Sequence, residues 1–324
     1  MKPIRHVPGL PSIDQQGKYQ QSKEIIDNER DKERGAQATA SRLPNTAPRG
    51  VGQPLFVGEP QILLVAKDLA TGWGRRKNRT VLSSGISLRL AAGELVGLVG
   101  PNGSGKSTLL RTLIGLQPRQ GGSILLCDKK IETLSPEERA RDVACVFNER
   151  LDAGYFTVFD MVAFGRYPYT DARNRLSEDD RAQVERALAA VGMTSFAHHA
   201  FAALSDGEKQ KTQLARAIAQ DAPILVLDEP TAFLDAPSRM EIFELARSLA
   251  HEQGKAVIVC THEVDLALRT ADELWVMDKN HHFVSGTPAY VSFSGAIGTA
   301  FASTRARFDP ASGTFRMDRS GRHF

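Results

Sequence analysis

The 324-residue chain has few of the features that mark secreted, membrane-spanning or nucleic-acid-coating proteins. It contains three cysteines, Cys127, Cys145 and Cys260, each in a short apolar run (SILLC, VACVF, VIVC), and no two stand at metal-ligand spacing. A disulfide scaffold and a cysteine-built zinc site are thereby excluded, and three buried reduced thiols are predicted. No stretch approaches the roughly 18 consecutive apolar residues of a membrane-spanning helix, so the chain is not expected to form a channel by itself. The opening MKPIRHVPGLPSIDQQ has no continuous apolar core, so no secretory signal is expected. Charge of one sign is lacking too: 41 Lys and Arg face 38 Asp and Glu, a formal net charge of +3, and nothing points to a nucleic-acid partner. What remains is 41% hydrophobic and 24% charged, values that exclude a wholly disordered or fibrous chain.

Residues 1–60 are rich in Gln, Pro, Gly and charge, with a mixed run from Glu29 to Arg34. Their apolar periodicity is weak, which predicts a disordered extension with at most one transient helix. Regular structure is expected from Gln61. ILLVAKDL and VLSSGISLRL read as strands, and LVGLVG as a short apolar strand entering a Gly-rich turn. A helix is expected from Thr108 to Leu116, then a strand SILLCD, a helix opening at Ser135-Pro136, and a strand VACVF. Residues 158–200 change to a helical pattern. Ser177 and Asp180 form a capping-box pair, and Val184, Ala187, Leu188 and Val191 share one face behind it. Strand character returns in PILVLD, KAVIVCTH and ELWVMD. Between the first two of these lies a helix from Pro237, with Ile242, Leu245, Ala246 and Leu249 on one face and Gly254 as its stop. Alternating strands and helices predict an α/β fold whose parallel sheet is covered on both sides, interrupted by an all-helical insertion.

Three segments carry chemistry. Gly100, Pro101, Asn102, Gly103, Ser104, Gly105, Lys106, Ser107 and Thr108 fit G-x-x-x-x-G-K-[ST], with a strand before and a helix after. Glycines let backbone N–H groups converge on phosphate oxygens without a Cβ clash, and the helix N-terminus adds partial positive charge. Lys106 is expected to reach the β- and γ-phosphates and the Ser107 hydroxyl to coordinate Mg²⁺. In Ile224–Leu227, four apolar residues run into Asp228 and Glu229 at the C-terminal end of a strand, where open α/β sheets bind ligands. Asp228 is placed to hold the Mg²⁺ shell, and Glu229 to orient or deprotonate an attacking water. LSDGEKQ (204–210) opens a further helix. Ser205, Gly207 and the helix N-terminus suit anionic oxygens, although Ser-x-x-Glu alone is also an ordinary capping box.

Together with FLD (233–235) and Thr261-His262, these motifs resemble the ATP-binding subunit of ABC transporters over residues 61–290. The resemblance implies a P-loop NTPase α/β core with a mostly parallel sheet and an N-terminal antiparallel β subdomain. It also implies an α-helical subdomain inserted at about residues 150–215 and a C-terminal tail over 291–324. The expected cofactors are ATP and Mg²⁺. The expected assembly is a head-to-tail homodimer, each ATP lying between Gly103–Thr108 of one subunit and Ser205, Gly207 and Glu208 of the other. Asp235 would cross the dimer seam, His262 would contact the γ-phosphate, and Trp73 takes the place of the aromatic that stacks on adenine. Two departures stand out. Asp206 and Glu208 replace the usual Gly and Gln of the signature, and Asn148, followed by Glu149, replaces the Q-loop glutamine; either could ligate Mg²⁺ or water. His198, His199, His281 and His282 match no motif and are assigned surface or packing roles.

FTVFDMVAFGRYPYT (156–170), LSDGEKQK and the C-terminal AFASTRARFDPASGTFRM resemble the subfamily that powers import of ferric siderophores, haem and cobalamin. In that subfamily the first segment lines the groove in which a membrane permease subunit docks. Phe156, Phe159, Met161 and Phe164 are the candidates here, for the groove or for the core of the helical subdomain. A peripheral place on the cytoplasmic face of the inner membrane follows, with a solute-binding protein as an indirect partner. A soluble ABC ATPase working on nucleic acid or in regulation is the alternative; the single cassette, the absence of long heptads and the absence of a basic stripe weigh against the nucleic-acid form. No ATPase subunit touches the transported solute, so the solute itself is inferred by analogy.

Overall fold

A computed structural model describes residues 60–74, 79–147, 154–170, 173, 175–302 and 306–317. The predicted N-terminal extension, apart from Pro60 at its end, lies outside the described residues, as do Asn148 and Glu149.

The centre is a six-stranded sheet built on β3 (Leu95–Val99), whose five residues are all buried. It is flanked on one side by β9 (Glu273–Met277) and β10 (Phe283–Gly286), and on the other by β8 (Ala256–Thr261), β7 (Ile224–Asp228) and β6 (Val143–Val146), in the order β10-β9-β3-β8-β7-β6. All neighbours are parallel except β10, which is antiparallel to β9. Successive side chains of these strands enter different cores. Leu225, Leu227, Val257 and Val259 join one apolar cluster, while Ile224, Val226, Ile258 and Cys260 join the other. The period of two is that of a sheet covered on both faces, which explains the uninterrupted apolar runs in the sequence.

One cover is a four-stranded antiparallel sheet, β2-β1-β4-β5, from β1 (Ile62–Trp73), β2 (Thr80–Ala91), β4 (Gly121–Leu126) and β5 (Lys129–Lys130). In β2 the alternation is clean where Ile86, Leu88 and Leu90 are buried and Ser87 and Arg89 are exposed. Helix α1 (Lys106–Leu113) adds Leu109, Leu110 and Leu113 to this core. The strand predicted as SILLCD ends two residues early. Cys127 (φ 46°) and Asp128 (φ 63°) take left-handed backbone and form the two-residue turn into β5. None of the three cysteines forms a disulfide, and only Cys260 is buried; Cys127 sits on that turn and Cys145 on the edge strand β6, both partly exposed.

The other cover is helical. After α2 (Pro136–Asp142) come α3 (Val158–Ala163), a 3₁₀ segment Phe164–Tyr169, α4 (Glu178–Ala190) and α5 (Asp206–Gln220). The Ser177–Asp180 capping box forms, and Val184, Ala187, Leu188 and Val191 are all buried. Packing rather than a groove claims most of the aromatic segment: Met161 is buried, and Phe159 and Phe164 lie partly buried against the core. Phe156 packs edge-on against Phe164 (ring centroids 5.0 Å apart) yet stays 47% exposed, the most exposed of the four groove candidates.

Helix α6 (Ala236–His251) buries Ile242, Phe243, Ala246, Leu249 and Ala250, with Leu245 only partly covered. Beyond α7 (Val264–Thr270), the C-terminal residues form α8 (Pro288–Phe293), α9 (Ala296–Ala300) and a hairpin of β11 (Ala306–Asp309) and β12 (Thr314–Met317). Val291, Ile297 and Ala300 are part of the main core. No helix among the described residues is long and apolar enough to cross a membrane.

Asp180 ties the helical layer together. Its Oδ2 accepts the Ser177 N–H (3.0 Å) to complete the capping box of α4, and its Oδ1 pairs with Arg166 (Nε to Oδ1 2.9 Å), whose Nη1 also donates to the Ala219 carbonyl of α5 at 2.8 Å. The hydrogen bonds from Ser177 and Arg166 outweigh burial and hold this carboxyl below the usual aspartate range. Asp180→Ala removes the carboxylate half of the capping box and the partner of a largely covered guanidinium, and should lower stability by about 2–3 kcal/mol in urea unfolding. Asp180→Asn, which keeps the acceptor, should lose less.

Candidate functional site

The site grows from strand ends. Val99 of β3 lies opposite Thr261 of β8, and Asp228 of β7 opposite Cys260 of β8. The residues that follow, Gly100, Glu229 and His262, therefore leave the sheet at one edge. The loop from Gly100 turns tightly against β9: a Cβ on Gly100 would stand 2.3 Å from the Met277 carbonyl oxygen. Gly103 (φ 80°) and Gly105 (φ 101°) use left-handed backbone closed to most side chains, and Gly105 is the N-cap from which α1 departs. The buried Lys106 ammonium donates to the carbonyls of Gly100 (2.8 Å) and Pro101 (3.1 Å) and so closes the loop on itself.

Asn102, Gly103, Gly105, Lys106, Ser107 and Thr108 line a cavity of about 500 Å³, together with Asp228, Glu229, Trp73, Leu82 and Arg111. Gly100, Pro101 and Ser104 do not line it. They form the base of the loop, with Ser104 fully buried. Trp73, the last residue of β1, is 52% exposed at this cavity. Its position is held by residues that no motif marks: Gln117 donates to the Gly72 carbonyl and Gln120 to that of Gly74 (3.3 Å), one on each side of Trp73. A Cβ on Gly72 would fall 1.9 Å from the Thr80 carbonyl oxygen, so only glycine permits this approach of the two strands.

Glu229 takes left-handed backbone (φ 54°) and its N–H bonds to the Cys260 carbonyl (2.9 Å). His262 Nδ1 lies 2.7 Å from its Oε2. Burial raises the Glu229 carboxyl above the usual glutamate range; the nearby His262 and Lys106 pull against that rise and Asp228 adds to it. Asp228 is buried, and its Oδ1 has no hydrogen-bond partner. An unpartnered buried carboxylate oxygen lining the same cavity as the exposed Ser107 is an oxygen-donor set that fits Mg²⁺, a hard cation. Asn148, the other expected ligand, lies outside the described residues.

Ser205, Gly207, Glu208 and Asp235 come together elsewhere, in a second cavity of about 620 Å³ with Asp206, Lys211, Phe233 and Ser238 among its walls. The two cavities share no lining residue. Ser205 is the N-cap of α5. Its N–H (2.8 Å) and hydroxyl (2.7 Å) donate to Glu208 Oε2, and its hydroxyl accepts the Glu208 N–H (3.3 Å). Those bonds from Ser205 hold the Glu208 carboxyl below the usual range. Asp235 caps α6 through its Oδ1 and the Ser238 N–H (3.0 Å), which keeps its own carboxyl low. Between them Phe233 is 63% exposed on left-handed backbone (φ 65°). His198, His199, His281 and His282 line neither cavity, and His281 packs on the glycine-rich loop, its Nδ1 2.9 Å from the Ser104 carbonyl oxygen.

Comparison with known proteins agrees with this geometry. The family described as "ABC transporter" matches residues 83–232. An uncharacterised ABC transporter ATP-binding protein of Methanocaldococcus jannaschii is 38% identical, over 79% of this chain and 87% of that protein. The cobalamin import ATP-binding protein BtuD of Halobacterium salinarum is 41% identical over 68% of this chain and 55% of its own length. The iron(3+)-hydroxamate import ATP-binding protein FhuC of Bacillus subtilis is 32% identical over 69% of this chain and 82% of its own. Among solved structures, a dimeric bacterial ABC transporter cassette, MJ0796, superposes with a TM-score of 0.62 at 25% identity, covering 70% of this chain and 99% of that one. The chain belongs to the ATP-binding proteins of ABC transporters, ATPases whose turnover is coupled to transport.

Proposed function

We propose that this chain is the ATP-binding and ATP-hydrolysing motor of an importer for ferric siderophores, haem or cobalamin, working as a pair beneath separate membrane permease subunits. The observation that carries the motor reading is the division of the site. The glycine-rich loop, Lys106, Asp228 and Glu229 occupy one cavity, while Ser205, Gly207 and Asp235 occupy another. A triphosphate seated in the first cavity keeps one side open, and the signature turn of a second copy supplies the missing wall.

In this reading Trp73 stacks on adenine, and the backbone N–H groups from Gly103 to Thr108 cradle the phosphates. Lys106 exchanges its carbonyl partners for the β- and γ-phosphate oxygens. Ser107 and Asp228 hold Mg²⁺, which when bound offsets charge on the phosphate oxygens. Glu229 accepts the proton of the attacking water, and His262 keeps that carboxylate aimed while it faces the γ-phosphate. Ser205 and Gly207 of the partner copy close on the γ-phosphate, and its Asp235 crosses the seam.

The importer reading is supported by the names of the relatives and by the 156–170 segment, where Phe156, Tyr155 and Tyr167 leave an aromatic surface free for a permease. Uptake of labelled ferric siderophore, haem and cobalamin in a deletion strain tests the solute: loss of one uptake, restored by this gene, assigns it, and no change in any of the three refutes the class.

Glu229→Gln should retain ATP binding while lowering turnover at least about 10²-fold, and Lys106→Ala should weaken ATP binding itself about tenfold or more. Unchanged hydrolysis in Glu229→Gln would remove that residue from the mechanism. The pH profile gives a separate check. A general base must be ionised, and burial lifts the Glu229 pKa, so the base is neutral at acidic pH and gains its charge only above the ordinary glutamate range. The acidic limb of kcat/KM, which reports the free enzyme, should therefore fall at a pH higher than a solvent-exposed glutamate would give; a limb at the ordinary position would contradict the assignment.

A further inference from the structure

His281 lies in the turn between β9 and β10, 177 residues from the glycine-rich loop in sequence, yet its Nδ1 sits 2.9 Å from the Ser104 carbonyl oxygen. A carbonyl only accepts, so Nδ1 carries the proton and donates. The ring is presented by a fixed support. The buried Ser83 hydroxyl on β2 donates to the His281 carbonyl. Asp278 Oδ1 accepts the N–H groups of Asn280 (2.7 Å) and His282 (2.9 Å), and its Oδ2 lies 2.9 Å from His282 Nδ1. His281 itself holds a left-handed conformation (φ 65°) within this turn.

The contact matters because of what it does to one peptide. In a trans peptide the C=O and the following N–H point in opposite directions. With the Ser104 oxygen turned onto His281, the Gly105 N–H points away from His281, and Gly105 lines the cavity beside Lys106 and Ser107. Glycine at 105 leaves that peptide freer to rotate than any other residue would. The Ser104 hydroxyl, buried and without a hydrogen-bond partner, does not anchor it.

We propose that His281 is a positioning residue for nucleotide binding, whose Nδ1–H on the Ser104 carbonyl locks the Ser104–Gly105 peptide with its N–H turned to the phosphates. The inference rests on the reading of the first cavity as an ATP site. Three variants separate the donor from the ring: His281→Gly accepts the left-handed backbone and loses the donor, His281→Asn accepts it and keeps an N–H donor, and His281→Asp has the shape of Asn without the donor. In calorimetric titration of the full chain with ATP, without Mg²⁺, His281→Gly and His281→Asp should bind about five- to tenfold more weakly than wild type, and His281→Asn within about threefold of it. In nucleotide-free protein, amide exchange over residues 100–107 should quicken in His281→Gly and stay near wild type in His281→Asn. Wild-type affinity in His281→Gly, or in His281→Asp if the glycine variant does not fold, overturns the proposal, as does an Asn variant as weak as Gly. Failure of the wild type to bind ATP overturns the ATP-site reading itself, and the two failures are thus told apart.

Discussion

Val99 pairs with Thr261 and Thr261's neighbour Cys260 pairs with Asp228, so β3, β8 and β7 stop at one level. That register brings three separate pieces of sequence to a common edge: the glycine-rich loop after β3, the acidic pair at the end of β7, and His262 after β8. A one-residue slip of β7 would send Asp228 to the opposite face and exchange Leu227 for it in the wrong core. The cores on both faces, by fixing alternate side chains of the same strands, are what hold the charged residues in register.

The edge is locally unfavourable, as binding sites often are. Glu229 sits on left-handed backbone with a largely covered side chain, and Asp228 keeps a buried oxygen without a partner. Burial pushes the neighbouring Cys260 thiol well up, so it remains neutral beside these carboxylates. Lys106 and His262 offset part of the negative charge, and the fully buried, mostly apolar strands behind supply the remainder of the stability through burial.

The fold class was legible because its strands are short, continuous apolar runs separated by helical periods, and the phosphate loop because strand, glycines, lysine and helix are contiguous. The placement of Asp228, Glu229 and His262 together was legible for the same reason: each stands at or just past the end of an apolar run. Residues that act across the fold left no such trace. His281 meets Ser104 from 177 positions away, and Gln117 and Gln120 reach the flanks of Trp73 from beyond α1. The Cys127-Asp128 turn was hidden because Cys extends an apolar run and is not a usual turn residue. The fate of Phe159, Met161 and Phe164 depended on how α3 packs on its neighbours, which helical spacing by itself leaves open.

The two cavities share no residue, and the signature turn presents a capped helix start whose Ser205 hydroxyl is already engaged by Glu208. Neither half encloses a triphosphate. Completion by a second copy is the central claim, and a hydrolysis-blocked pair reports on it most directly. Light scattering of purified Glu229→Gln protein with saturating ATP and Mg²⁺ should give the mass of two chains, reverting to one chain when ATP is withheld. A single-chain mass at every ATP concentration would contradict the account.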